Sequence, residues 1–450
     1  MNSLLSSSLK TRAEHQLGDS IQVEFTLKNE TDKDVHFLKW NTPLDDILCH
    51  IFELSCNGIE VPYDGIFVKR GNPSQDDYYI LRAGESISKK FNLADHYEIS
   101  TNGNYQLNMR SDILDHQVVK PGKNLVPRPL EQHKSYKLSN QDVFFKVIGE
   151  GVQRITVAAK QRANEPSSPQ TPISEKASKV SGPKTPFPSR IIGGTETEIT
   201  EMKQVHQAAC VYTWGCIQAL IADQNNSNYI TWFGSYDATR FTQVKSNFQR
   251  MLNVFHTEQI IYDLSEANRS KSYYAYTYKG SRTVYMCGAY YNAPFSGQDS
   301  KVGTTIHELS HAIAFTDDNQ YGRLPCLNLA ETNPKSAINN ADSYEYFSET
   351  TIPMNYKFDS AAKLPNGKTY ITLGNIYIRY SDSDGTSIDS GYPAPLKGNW
   401  GDLPDDFAQG FDAMAVLPNG KLCVTKGNQY IRYSDSDGTS IDSGYPAPLK

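Results

Sequence analysis

Ile21, Val23, Phe25 and Leu27 stand at every second position, separated by Gln22, Glu24 and Thr26. A strand sends successive side chains to opposite faces, so this alternation predicts a half-buried β-strand. Tyr105, Leu107 and Met109 repeat the pattern after the turn signal Asn102-Gly103-Asn104, and Val143 to Ile148 predicts another short strand. Short strands set between Asn, Gly, Asp and Pro clusters predict a β-sandwich over residues 1–158. That region carries no cluster of catalytic residue types.

Between residues 159 and 192 large apolar residues nearly vanish. Pro166, Pro169, Pro172, Pro183, Pro186 and Pro188 are interleaved with Ser, Lys and Thr. Such a stretch buries too little apolar surface to offset chain entropy, which predicts a semi-extended linker and a candidate processing site.

From 193 to 355 the period changes. Phe241, Val244, Phe248, Leu252 and Phe255 recur at helical spacing and predict an amphipathic helix. Tyr273 to Tyr278 and Thr283 to Tyr285, joined by Lys279-Gly280-Ser281, predict a hairpin. Asp299 or Ser300 is placed to cap a helix that follows, and another helix is expected from Pro334 through Phe347. Helices mixed with strands predict an α+β unit.

Residues 356–450 are an internal repeat. Phe358-Asp359 and Phe411-Asp412 open two copies, each with a Leu-Pro-Asn-Gly-Lys turn, and Tyr377 to Lys397 is identical to Tyr430 to Lys450. The Phe-Asp opening, the hairpin and Tyr-Ile-Arg-Tyr resemble hemopexin-type repeats. The resemblance implies one β-propeller blade per copy. Two blades do not close a propeller of about four, so the set is incomplete, and a ligand or partner chain at the repeats is an open expectation.

A net charge of -6 offers no basic footprint for nucleic acid. No run of 18 apolar residues spans a membrane. The first residues lack the basic and apolar regions of a signal peptide, so the sequence shows no export route. Cys49/Cys56 and Cys210/Cys216 are spaced for local disulfides or stand as free thiols, and spacing leaves both open. No CxxC pair marks a structural zinc site.

The candidate chemistry lies in His307-Glu308-Leu309-Ser310-His311. Histidines at i and i+4 stack one turn apart on a helix and reach one zinc ion together. Glu308 then sits beside the metal, where a base removes a proton from water. A catalytic zinc needs a third protein ligand, for which Asp317, Asp318, Glu331, Asp342, Glu345 and Glu349 are candidates. A third histidine six residues on is excluded, because Asp317 stands there.

This pattern, with Phe315-Thr316-Asp317-Asp318-Asn319-Gln320-Tyr321-Gly322 after it, resembles the aspzincins, the deuterolysins and peptidyl-Lys metalloendopeptidases. Further landmarks in family order are Thr231-Trp232-Phe233-Gly234, Met286-Cys287-Gly288-Ala289 and Asn340-Ala341-Asp342-Ser343-Tyr344-Glu345-Tyr346-Phe347. Leu38 to Leu44 resembles the domain that precedes bacterial members. The resemblance implies a zincin-type metallopeptidase domain with one Zn²⁺ on His307, His311 and Asp318. It also implies Glu308 as base and Tyr321 as donor to the oxyanion. Six residues separate His311 from Asp318, about two fewer than in the family, and Phe315 replaces a glycine. A shorter, bulkier turn is expected to displace Asp318.

Asp342 and Glu345 lie at i and i+3 of the expected helix, so both carboxylates point to one side, where a cation offsets their repulsion. In the peptidyl-Lys branch the residues at these two positions hold the substrate lysine. The expectation is therefore an extracellular zinc metalloendopeptidase cutting proteins or peptides before lysine. Two rivals are a broad deuterolysin-like protease and a catalytically impaired protein that binds through its repeats.

Overall fold

The computed structural model describes residues 4–119, 125–138, 141–152, 154–164, 186–351, 359–373, 376–380, 389, 394–435 and 438–449. Pro166, Pro169, Pro172, Pro183, Phe358 and much of the first identical repeat segment lie outside these residues.

The N-terminal strands form three sheets over one core. Gln22–Asn29 lies between Leu5–Lys10 and Ser86–Asn92, Gly103–Met109 between Val143–Ile148 and Phe52–Cys56, and Asp34–Leu38 between His116–Val119 and Tyr78–Leu81. The alternation drives this arrangement: Val23, Phe25 and Leu27 are buried with Leu107 and Phe145, while Gln22 and Lys28 face water. Burying each such side chain contributes roughly 1.5–3 kcal/mol.

Residues 159–192 differ from the expected linker at both ends. Val157–Asn164 is a helix, and Arg190–Gly193 is a strand. That strand pairs in parallel with Ile261–Leu264, which pairs in parallel with Thr283–Met286, and Ala275–Tyr278 follows antiparallel. The fifth strand of this sheet comes from the N-terminal region: Ile66–Lys69 runs antiparallel along Ala275–Tyr278.

Helices Glu196–Ala222, Ala238–Thr257, Lys301–Ala314 and Ala341–Thr351 pack together in a second core. Phe241, Val244, Phe248, Leu252 and Phe255 are all buried there, as their spacing predicts. Each helix start has a local cause. Thr195 and Glu198 form a capping box, Asp237 accepts from the Arg240 amide at 2.9 Å, and Ser300, the second of the two expected caps, accepts from the Gly303 amide at 2.9 Å. Gly303 also permits close helix contact, since a Cβ there would fall 2.0 Å from the Glu349 carboxylate. The single helix expected from Pro334 is two, Pro334–Ala337 and Ala341–Thr351.

The C-terminal copies are two four-stranded antiparallel sheets, Ser360–Lys363 to Ala394–Pro395 and Ala413–Val416 to Ala447–Pro448. Trp400 joins them, with Tyr370, Tyr377, Phe411 and Tyr433 edge-on around it at 5.3 to 6.1 Å. Among the described residues no propeller closes. All seven cysteines are free thiols. No described helix is long and apolar enough to cross a membrane.

Candidate active site

Every residue of helix Lys301–Ala314 is buried, so His307, Glu308 and His311 are held by packing on all sides. The helix period brings the Nε2 atoms of His307 and His311 to 3.1 Å. Asp318 Oδ1 completes a triangle, 3.3 Å from the first and 3.2 Å from the second. Ligands at 2.0–2.1 Å from a tetrahedral zinc are about 3.3 Å apart, so the three atoms have the spacing that ion requires. His311 Nδ1 bonds the Thr316 carbonyl at 2.8 Å, which turns Nε2 toward the triangle. His307 Nδ1 lies 2.8 Å from Asp342 Oδ1. Both oxygens of Asp318 and both of Glu308 are buried without a hydrogen-bond partner. Buried carboxylates left this way cost several kcal/mol unless a cation meets them, and the donor set fits a divalent metal.

The short turn does not displace Asp318. Phe315 adopts the left-handed conformation, φ 61° and ψ 31°, that glycine usually supplies, and it does so with its ring half exposed. The following backbone is then clamped to Asn339 and Asn340. The Asp317 amide donates to the Asn339 carbonyl at 2.9 Å, and Asn340 Oδ1 accepts from the amides of Asn319 and Gln320. These asparagines fill the break between the two helices, which is why the expected single helix is interrupted.

Asp317 and Asp318 take opposite directions. Asp317 turns away from the histidines to Lys279 at 2.7 Å, Arg110 at 2.9 Å and His50 at 3.3 Å. Against the effect of burial, His50 and the cations hold its carboxyl well below the usual range. Against the same effect, the charge and contacts of His311 and His307 keep Asp318 ionised. Glu331 is exposed and apart, and Glu349 binds the Ser300 amide and hydroxyl at the start of the helix. Burial first, and then the charge of Asp318, push Glu308 up to about 8.

Asp342 and Glu345 do point to one side, and a lysine lies between them. It is Lys69, the last residue of the inserted strand. Its Nζ is 2.7 Å from Glu345, 3.3 Å from Asp299 and 3.7 Å from Asp342. Burial works against its charge, but the carboxylates hold its pKa well above the normal value. The pairing Lys69↔Ala275, Val68↔Tyr276 and Phe67↔Thr277 lays the strand across the cleft. Phe67 stacks on His311, with centroids 4.6 Å apart. The Tyr321 hydroxyl donates to the Val68 carbonyl at 3.2 Å. The Lys69 backbone and ammonium draw the Glu308 pKa down against burial, and neither Glu308 oxygen has a hydrogen-bond partner.

Sequence reasoning placed the acidic pair but missed Lys69, Asp299 as its third partner, and the Arg110–His50 contact to Asp317. For Lys69 one signal was available: a buried acidic pair whose own helix supplies no cation calls for a lysine elsewhere in the chain.

Residues 218–349 match the family model described as lysine-specific metallo-endopeptidase, the aspzincins. The chain is 32% identical over 337 residues to an extracellular protease of Aeromonas hydrophila, covering 74% of this chain and 89% of that protein. It is 35% identical over 163 residues to a peptidyl-Lys metalloendopeptidase of Pleurotus ostreatus, covering 35% of this chain and 95% of that one. A solved zinc peptidase from Grifola frondosa is 33% identical, with a TM-score of 0.33, covering 35% of this chain and 97% of the peptidase.

Proposed function

Because this chain belongs to the aspzincin family of metalloendopeptidases, we propose that it holds one zinc ion on His307, His311 and Asp318 and cuts proteins or peptides before lysine. The supporting observation is the side chain of Lys69 set among Asp299, Asp342 and Glu345, beside the three candidate ligands. A metal held there supplies a Lewis acid that polarises the scissile carbonyl and makes water easier to deprotonate.

The chain's own groups do the rest. Glu308, with a pKa raised to about 8 before any metal binds, takes the proton of the attacking water and returns it to the leaving amine. Tyr321 donates a hydrogen bond from its hydroxyl to the carbonyl oxygen of the residue before the cut, where negative charge grows. Asp342 and Glu345 receive the ammonium of the following lysine, and Asp342 also orients His307 through its Nδ1. Strand Ala275–Tyr278 aligns the substrate by antiparallel pairing, as it now aligns Ile66–Lys69. A second peptide enters that edge only once the inserted strand leaves it, and the Lys69 side chain pins the end of that strand in the acidic pocket. The name of the Aeromonas relative supports a place of action outside the cell.

Cleavage-site mapping on a complex peptide library tests the reading. It uses the zinc-loaded full chain and Lys69→Ala, so that a blocked cleft is not mistaken for an inert one. Cuts before lysine are expected, absent with chelator and in Glu308→Ala. Cuts without lysine enrichment, or an unchanged pattern in Asp342→Asn with Glu345→Gln, would remove the pocket and leave a broad protease. No cuts by either zinc-loaded form would overturn the reading.

A further inference from the structure

We propose that the Val68–Lys69 peptide bond is this protein's own first substrate, hydrolysed once and in cis. The proposal rests on the lysine-directed reading above. It adds a cleavage site in the N-terminal region, far in sequence from the active-site helix.

Strand pairing, the Tyr321 hydroxyl and the acidic pocket all converge on this one bond. The strand runs antiparallel to Ala275–Tyr278, with the bond between the pairs Val68↔Tyr276 and Lys69↔Ala275. The carbonyl oxygen of Val68 accepts from Tyr321. The strand lies against the helix that carries Glu308. The lysine side chain after the bond is fully buried in the acidic pocket, 2.7 Å from Glu345. An inert plug needs only to fill the cleft. Here the polarity of the strand, the register and the pocket residue all coincide on one peptide unit, which sets its carbonyl against Tyr321 and its lysine in the acidic pocket.

The step balances with water as the co-reactant. A C–O bond forms at the Val68 carbonyl carbon, and the C–N bond to Lys69 breaks. The proton accepted by Glu308 passes to the departing nitrogen, leaving a Val68 carboxylate and a Lys69 α-amine.

Both new ends are anchored by contacts that do not need the bond. Downstream, the Lys69 carbonyl accepts from the Tyr274 amide at 2.9 Å, and Arg70 pairs with Asp45 at 2.9 Å while covering the Trp40 ring. Upstream, the Asp64 amide donates to His96, and the Asp64 side chain binds Arg162. The cut chain therefore stays assembled, and the cut precedes release of the cleft.

The test has two arms on the full chain. In the first, the metal-free protein is treated with an amine-reactive reagent and mapped by mass spectrometry. Lys69 is expected to stay unlabelled while exposed lysines react, and rapid labelling of Lys69 would overturn the proposal. In the second, zinc is added and denatured masses are followed. Fragments 1–68 and 69–450 are expected, at a rate unchanged by tenfold dilution, with Glu308→Ala chains staying whole even when mixed with active protein. Lys69→Ala should slow the cut about tenfold or more while cleaving lysine peptides in trans. If Lys69→Ala cuts such peptides but the wild-type chain stays whole, the self-cleavage fails alone. If neither form cuts anything, the proposed function fails with it.

Discussion

The Lys69 ammonium lies 2.7 Å from the Glu345 carboxylate, and neither side chain is exposed to solvent by more than 1%. Lys69 ends a strand that the N-terminal region contributes, and Glu345 lies on helix Ala341–Thr351, so this ion pair ties the N-terminal region to the active-site helices. Removing one partner of a buried pair strands the other, at a cost of roughly 3–5 kcal/mol. Lys69→Met should therefore lower the stability of the chelated protein by about that much, read by denaturant unfolding. With zinc it should also raise the initial rate on external lysine peptides, because the pocket is vacated and the inserted strand loses the anchor that holds it in the cleft.

Asp342 touches both the lysine ammonium and His307 Nδ1, at 3.7 and 2.8 Å. Asp342→Asn should therefore weaken metal binding by about 10–100-fold, whereas Glu345→Gln should act mainly on lysine preference. Competition against a calibrated chelator measures the first effect. Equal metal affinities in the two variants would remove the orienting role of Asp342.

Glu308 is buried and is expected to leave the metal ligands untouched. Glu308→Gln should reduce kcat by about 10²–10⁴-fold with metal content unchanged, measured by atomic absorption beside a peptide assay. Loss of metal from this variant would place Glu308 among the ligands instead.

Phe315 has φ 61° and is 47% exposed, so it bears the strain of the left-handed conformation and gains little from burial. Phe315→Gly should stabilise the protein by about 1 kcal/mol, seen as a higher Tm. A lower Tm would show that the ring's remaining contacts outweigh the strain.

His206 is a neutral buried histidine. Its Nδ1 accepts from the Tyr262 hydroxyl at 2.9 Å, and its Nε2 donates to the Phe187 carbonyl at 3.0 Å. Burial lowers its pKa from 6.5 to about 4, with the Phe187 carbonyl opposing. The unfolded chain takes up the proton below 6.5 and the native state only below about 4, so stability falls as pH drops through that window. The loss reaches about 3 kcal/mol, and His206→Gln should flatten that part of the profile in the metal-free protein.

The elements with a local cause were legible along the chain. Strand Gln22–Asn29, helix Ala238–Thr257 and the histidine pair on Lys301–Ala314 each follow from a period of two or 3.6 that repeats within a few residues. The same holds for the acidic pair of Ala341–Thr351, where one helical turn sets both carboxylates. The choice between Asp317 and Asp318 had no such local basis. It depends on Arg110, His50 and Lys279 drawing one of them outward, and on two asparagines breaking a helix that sequence spacing runs through.

Sequence alone determined the family landmarks, the helix that carries the histidines, the repeat, and the demand of two stacked carboxylates for a cation. Tertiary structure decided which cation answers it. Tyr321 and Val68 meet across 253 residues of chain, and Lys69 enters the pocket by completing a sheet begun in another part of the molecule. Strand pairing at that distance depends on an edge left open by the fold and on the buried charge beside it. Neither is written in the spacing of Ile66, Phe67, Val68 and Lys69.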